Sequence, residues 1–491
     1  MGSTSRVLPG TPVLRRLVGG GVLVAVAALL LAPTARGIDV ENVTGGHDGG
    51  LPVRVYVPRG SQDAPGVVVA HGFAGSAALM HTWSLALAHA GFVVVAPDLP
   101  GHGTSTVALA DAEGGLPGAV STALAHLRGL EAVDPDRVAL LGHSMGSGAV
   151  LSAGIAEARG VRAVVAVSPT DAAVTPTAPA DLLLLVGERE PRFVANAESL
   201  LERAGGIVGV AGDGTARDLV IVPQVEHVSI LFARTAHEAS IGWLSSALGH
   251  TPSGRAPAGP LAGWAVLVAG LVLLWQAFVL QSATAAPRPT LRSSPLLALP
   301  TGGVAATASL VILERSVALE GLLGLQVAGM VGLWFLMAGA AWLRFGLRPA
   351  APEARDIGWA LLVTMALVGT GATSTLAWAP WWLSGSRVAA AAALAVLLLP
   401  FSLAAATLLV GRRGWRAAGA WAVTSVSVLV TLGAAAVVVP GLTFLVLILP
   451  VLPAVLGLVV AVSIGVDRPW ATGTAGAVFL GWLLAMLFPL A

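Results

Sequence analysis

The sequence predicts two architectures in one chain: an α/β domain built on a doubly wound, mostly parallel sheet, then an all-α polytopic membrane domain. Three observations predict them. From about Ile38 to Leu248, short continuous apolar runs alternate with helical stretches across Gly, Pro and Asp turns, the pattern of strands buried on both faces of a parallel sheet. After Pro260 the chain becomes a series of long apolar runs broken by short Arg-bearing or Pro/Gly segments. Of the 491 residues, 56% are hydrophobic and only 11% charged, a membrane-protein composition.

In chain order, residues 1–37 read as a cytoplasmic tail and signal anchor, with Arg15-Arg16 ahead of an apolar span at about 17–32 stopped by Pro33. Pro33-Thr34-Ala35 is a poor cleavage site, which favours a retained anchor over a signal peptide. Residues 38–250 form the α/β domain, expected outside the cytoplasm. Its strands are expected at Val53–Val57, Gly66–Ala70, Phe92–Ala96, Arg137–Leu141, Ala163–Val167, Asp181–Val186 and Leu219–Val222. Helices fit between them at His81–Ala90, Pro117–Leu130, Ser147–Ala158 and Ala195–Ala204. Residues 251–260 are a Pro/Gly/Ala linker. Residues 261–491 hold about eight helices, near 261–280, 296–313, 321–343, 357–379, 388–410, 417–438, 442–462 and 470–490, nine spans with the anchor.

Arginine placement orients these spans, because basic residues in short loops mark the cytoplasmic side. With the α/β domain outside, the inner segments hold Arg6, Arg15, Arg16, Arg288, Arg292, Arg344, Arg348, Arg355, Arg412, Arg413, Arg416 and Arg468, and the outer loops only Arg315 and Arg387. Trp381-Trp382 on the outer side fits an interfacial aromatic belt.

Chemistry is confined to the first half. All ten histidines lie at or before His250, and after Pro260 the only acids are Glu314, Glu320, Glu353, Asp356 and Asp467. The absence of cysteine excludes disulfides, thiol nucleophiles and Cys-ligated metals. No histidine pair has metal-ligand spacing on a helix, so neither metal nor cofactor is expected. A net charge of +1 argues against a nucleic-acid partner.

Gly142-His143-Ser144-Met145-Gly146 has the G-x-S-x-G form between a Val/Leu run and an Ala/Gly-rich helical run. In so sharp a strand-to-helix turn the serine backbone is strained and Oγ projects outward, which makes Ser144 the candidate nucleophile. A serine needs a base, and the base needs an acid to orient it. Downstream, a strand ends at Gly187 with Glu188 and Glu190 beyond it, Asp171 follows the preceding strand, and His227 sits past the last strand at the start of a helix.

Four segments together resemble the α/β-hydrolase superfamily over about Val53 to Leu248: Val69-Ala70-His71-Gly72-Phe73-Ala74-Gly75-Ser76, Ala96-Pro97-Asp98-Leu99-Pro100-Gly101-His102-Gly103-Thr104-Ser105, the Ser144 elbow and the His227 segment. The resemblance implies a triad of Ser144, Glu190 and His227, since the family's acid usually falls three residues after the strand-ending glycine; Glu188 and Asp171 are the alternatives. It also implies an oxyanion hole from the backbone N–H groups of Phe73 and Met145, each worth about 3 to 4 kcal/mol of transition-state stabilisation. His71, His102 and His143 become structural residues of turns. With only about a dozen residues between the strands ending at Val167 and beginning at Asp181, the site is expected to be open under a small lid or none.

The implied activity is that of a serine esterase or lipase acting on acyl-ester or lipid-like substrates at a bilayer, with peptidase and thioesterase activity as alternatives. Non-enzymatic readings are a binding module on the same fold, or a transporter or flippase with an accessory domain. The predicted spans hold almost no ionisable side chains, with Gln276 and Gln326 as isolated polar exceptions, which favours an anchor or scaffold over an ion-coupled carrier.

Overall fold

A computed structural model describes residues 11–31, 36–45, 50–157, 160–255, 260–282, 290–291, 294–375 and 379–491. Arg6, Pro33-Thr34-Ala35, residues 256–259 of the linker, Arg288 and Arg292 lie outside the described residues. The chain divides into two compact units: Met1–Leu31 with Gly259–Thr375 and Gly385–Ala485, and Ala32–Ala258 with Leu376–Ser384 and Met486–Ala491.

The first helix, α1 (Thr11–Leu31), starts earlier than the span expected from about residue 17 and takes in Arg15 and Arg16. Pro12 at its second position suits a helix start, where a missing N–H has no intrahelical partner to lose.

The second unit is built on an eight-stranded sheet of order β1-β2-β4-β3-β5-β6-β7-β8. Its strands are β1 (Ile38–Gly45), β2 (Leu51–Pro58), β3 (Ala64–Ala70), β4 (Val93–Pro97), β5 (Val133–His143), β6 (Ala163–Val167), β7 (Leu182–Gly187) and β8 (Arg217–Val222). β1 pairs antiparallel with β2, and β2 with β4; every other pairing is parallel. β3, β4, β6 and β7 are buried along their whole lengths, because α2 (His81–His89) and α6 (Arg234–Ala247) cover one face and α3 (Gly115–Arg128), α4 (Met145–Ala156) and α5 (Pro191–Arg203) the other. Two apolar clusters fill the layers, one holding Val68, Val95, Leu140 and Leu184, the other Val67, Val94, Leu141 and Leu185. Strand β1 was not expected. Its Val40 is exposed, as befits an edge strand whose apolar alternation is weak.

Among the described residues the other unit holds eight helices long and apolar enough to cross a membrane: α1, α7 (Pro260–Ser282), α8 (Pro295–Glu314), α9 (Ala328–Phe345), α10 (Arg355–Thr375), α11 (Gly385–Leu409), α12 (Trp415–Val438) and α15 (Pro469–Leu487). The run expected as a ninth span, 442–462, is broken instead. Two 3₁₀ turns, the four-residue α13 (Leu445–Ile448) and the twelve-residue α14 (Leu452–Ser463) divide it, since Pro440, Pro450 and Pro453 each remove a backbone donor. Helices α1 and α7 meet at Gly20 and Gly270: a Cβ on Gly20 would stand 2.9 Å from the Gly270 carbonyl oxygen, and one on Gly270 3.0 Å from that of Gly20. Glycine permits that approach.

One end of this unit gathers four connecting segments. The pair β9 (Thr290–Leu291) and β10 (Leu347–Arg348) ties the segment before α8 to that after α9. Arg468 Nη1 reaches Asp356 Oδ1 at 2.7 Å and Glu353 Oε2 at 3.2 Å, and Arg413 pairs with Asp467. Two outer-side expectations change. Arg387 is not a loop residue but is buried in the first turn of α11, donating to the Ala485 carbonyl. Of the tryptophan pair, Trp382 is 81% exposed but Trp381 is buried.

Candidate active site

Strand β5 runs straight into α4 with one residue to turn on. That residue is Ser144, at φ 52° and ψ −120°, a conformation in which a side chain is strained. Glycines make the turn possible: a Cβ on Gly142 would lie 2.3 Å from the Gly146 carbonyl oxygen, and one on Gly146 2.4 Å from that of His71. The Ser144 N–H donates to the Val167 carbonyl at 2.9 Å, tying the turn to the end of β6.

Glu190 occupies the N-cap position of α5 ahead of Pro191, its carboxylate turned away from the helix N–H groups. Its Oε2 accepts from the Gly187 N–H at 2.7 Å and the Ser168 hydroxyl at 2.8 Å. Its Oε1 lies 2.5 Å from His227 Nδ1, and His227 Nε2 lies 3.0 Å from Ser144 Oγ. One hydrogen-bonded line thus joins Glu190, His227 and Ser144. Glu226, just before His227, accepts the N–H groups of Val228 and Ser229 on its carboxylate at 2.9 and 2.7 Å, at the start of the following 3₁₀ turn.

The other two acids point elsewhere. Glu188 is exposed and accepts from Gln224, and Asp171 is exposed and paired with Arg203. Phe73 follows Gly72, whose added Cβ would lie 3.1 Å from Ser144 Cβ, so the turn after β3 abuts the elbow. Met145 opens α4 directly after the serine. No helix forms in the segment from Ser168 to Asp181, and Ser144, Glu190 and His227 keep 7%, 5% and 7% of their surface.

His71, His102 and His143 are each hydrogen-bonded to backbone close to the site. His71 Nδ1 donates to the Gly72 carbonyl at 2.8 Å, while its Nε2 accepts the Leu99 N–H at 3.0 Å; burial lowers its pKa to about 4. His143 Nε2 donates to the His227 carbonyl at 3.0 Å, and burial, then the nearby His227, hold it well below the ordinary range. His102 Nδ1 lies 2.9 Å from the Pro100 carbonyl. Three features escaped the sequence reading: Ser168 on the acid, and Phe193 and His143 against the His227 ring. Among the described residues no group of His, Asp or Glu is placed to hold a metal ion.

Residues 65–204 match the family described as the alpha/beta hydrolase fold. The sheet domain has the α/β-hydrolase fold. Solved structures similar to this chain include an esterase from Pyrobaculum calidifontis, 17% identical over 50% of this chain and 95% of that one, with a TM-score of 0.34. The dienelactone hydrolase from Anabaena variabilis is 20% identical over 44% and 100%, with a TM-score of 0.32. Epoxide hydrolase A from Mycobacterium thermoresistibile is 17% identical over 42% and 98%, also with a TM-score of 0.32. These likenesses speak to neither substrate nor mechanism. No curated protein matches the chain. The sheet domain places Ser144 after β5, Glu190 after β7 and His227 after β8, all at the carboxyl ends of parallel strands, where doubly wound sheets present their sites.

Proposed function

We propose that this chain is a membrane-anchored serine hydrolase that cleaves acyl esters, with its α/β-hydrolase domain on the outer face of the membrane. The observation that carries the reading is the line from Glu190 Oε1 through the His227 ring to Ser144 Oγ, at 2.5 and 3.0 Å. His227 carries its proton on Nδ1, donates it to Glu190, and leaves Nε2 to accept the Ser144 hydroxyl proton. Ser144 Oγ then attacks the ester carbonyl, and the Phe73 and Met145 N–H groups receive the oxyanion. The imidazolium gives its proton to the departing alcohol. Water, deprotonated by the same nitrogen, releases the acid and restores the serine. Glu190, held by the Gly187 N–H and the Ser168 hydroxyl, orients the His227 ring throughout.

Membrane anchoring is supported by the eight long apolar helices. Outward placement is supported by the arginines, since the segments gathered at one end of the membrane unit carry Arg348, Arg413 and Arg468. The test is labelling of the full chain with a fluorophosphonate, then a panel of acyl esters, amides and thioesters. The native chain is expected to label and to turn over esters fastest. Ser144→Ala is expected to lose labelling and to lower kcat by about a million-fold; a Ser144→Ala chain that still labels and hydrolyses would defeat the reading.

A further inference from the structure

Two hydrogen bonds in the plane of an imidazole leave the ring free to tilt about the line joining its nitrogens. His227 has more than those two restraints. The Phe193 ring is stacked on it, with centroids 4.4 Å apart and planes 23° apart. The His143 ring packs against it at 4.7 Å with a 44° tilt, and His143 Nε2 donates to the His227 backbone carbonyl at 3.0 Å. Both partners come from segments that already carry the site. Phe193 lies three residues after Glu190, one helical turn along the start of α5, so one rigid turn presents the carboxylate to Nδ1 and the phenyl face to the ring. His143 immediately precedes Ser144, so the strained elbow supplies both the hydroxyl facing Nε2 and a donor to the main chain behind the ring.

We propose that Phe193 and His143 are positioning residues for this site, Phe193 fixing the plane of the His227 ring and His143 fixing the backbone from which it hangs. This rests on the reading of Ser144, His227 and Glu190 as nucleophile, base and acid. The stack has a second consequence: when Nε2 takes the serine proton, the ring becomes a cation lying on an aromatic face, a contact stronger for imidazolium than for imidazole. Phe193 therefore acts on the step in which the proton moves and leaves substrate binding alone. Its half-buried position at the first turn of α5 makes its replacement tolerable to the fold.

The experiment measures steady-state hydrolysis of p-nitrophenyl butyrate by the full chain in detergent, with the melting temperature recorded for each variant. Phe193→Leu keeps the apolar bulk but removes the flat face; kcat is expected to fall about 10- to 100-fold, the scale of a small misplacement of a reacting group, while KM stays within about twofold. Phe193→Tyr restores the face and is expected to restore kcat to within about threefold of native. His143→Gln keeps an N–H donor and is expected to retain more kcat than His143→Ala. Native kcat in Phe193→Leu, a change confined to KM, or no rescue by tyrosine would each overturn the proposal. Ser144→Ala is measured alongside: if it is inactive while Phe193→Leu is native-like, only the positioning role fails, whereas an active Ser144→Ala sinks the reading of the site beneath it.

Discussion

The sheet domain and the helical unit engage many of their side-chain hydroxyls differently. In the domain, Ser168, Glu190, His227 and Ser144 come from loops after β6, β7, β8 and β5 and bond to one another across long sequence separations. In the membrane unit, the hydroxyls of Thr407, Thr424, Thr431 and Thr472 each bond to the carbonyl four residues back on their own helix. A hydroxyl satisfied within its own helix tolerates hydrocarbon around it and has little left to offer a substrate. On the proposed reading, the chemistry belongs to one unit, and anchoring and packing to the other.

The sharpest way to break that comparison is to disarm the acid. Glu190→Gln is expected to lower kcat/KM for an activated ester by about 10⁴-fold, because the amide cannot hold the His227 tautomer. Glu188→Gln and Asp171→Asn are expected to stay within about threefold, the size of an ordinary surface substitution. A drop in either control matching that of Glu190→Gln would move the acid.

Next in size is the elbow's packing. Gly146→Ala places a methyl 2.4 Å from the His71 carbonyl oxygen and 2.7 Å from that of Ala70, both backbone atoms that cannot swing away. The helix propensity gained is under about 1 kcal/mol, and the overpacking is expected to outweigh it and cost the domain about 2 kcal/mol net, read as a fall in the denaturant midpoint at unchanged m-value.

Acid separates the two units more gently. Burial lowers the pKa of His71 to about 4, of His237 to about 4 and of His81 to about 3, from 6.5. Their neutral forms therefore favour the folded domain fully above pH 6.5. As the pH falls below 6.5 the unfolded chain takes protons that the folded domain refuses, and stability declines until these groups charge in place, His71 and His237 near pH 4 and His81 near pH 3. At pH 5 the loss is on the order of 2 kcal/mol per histidine. The membrane unit has no histidine, so tryptophan fluorescence and protease resistance should report the sheet domain opening first as acid is added. Simultaneous loss of both units would contradict the division.

How much of this was legible in sequence follows from what each residue contacts. Strands β3, β4, β6 and β7 are buried on both faces, so each reads as an unbroken apolar run; β1, at the exposed edge, has no such run to read. Ser144 stands out through its sharp turn between two glycines, while Glu190 and His227 are picked out by the resemblance to α/β hydrolases. Ser168, by contrast, touches Glu190 only because β6 lies beside β7, and no pattern along the chain pairs residue 168 with 190. Phe193 reads as an ordinary apolar position of an amphipathic helix; its stack on His227 exists only once β7 and β8 are neighbours. In the membrane unit hydropathy located the long helices, and over 442–462 the sign of interruption lay not in the apolar composition but in Pro440, Pro450 and Pro453.

That interruption gives the smallest and most discriminating test. Where α14 ends, the Gln276 side-chain amide of α7 donates to the carbonyls of Ala461 at 2.7 Å and Ile464 at 3.0 Å, and the Trp275 indole N–H donates to Val462 at 2.7 Å. These are carbonyls that a helix end leaves without an intrahelical donor. Gln276 is thus a cap supplied from a neighbouring helix, which accounts for a glutamine in an otherwise apolar span without assigning it to a transport route. Gln276→Leu is expected to lower the thermal stability of the membrane unit by about 1 kcal/mol, the scale of a polar contact between membrane helices, and to leave ester hydrolysis unchanged. Gln276→Glu adds a carboxylate facing two carbonyl oxygens, and is expected to destabilise the unit by more than leucine does. Should Gln276→Leu abolish hydrolysis in a chain that still folds, the membrane unit would hold part of the chemistry, and the separation drawn between the two units would have to be abandoned.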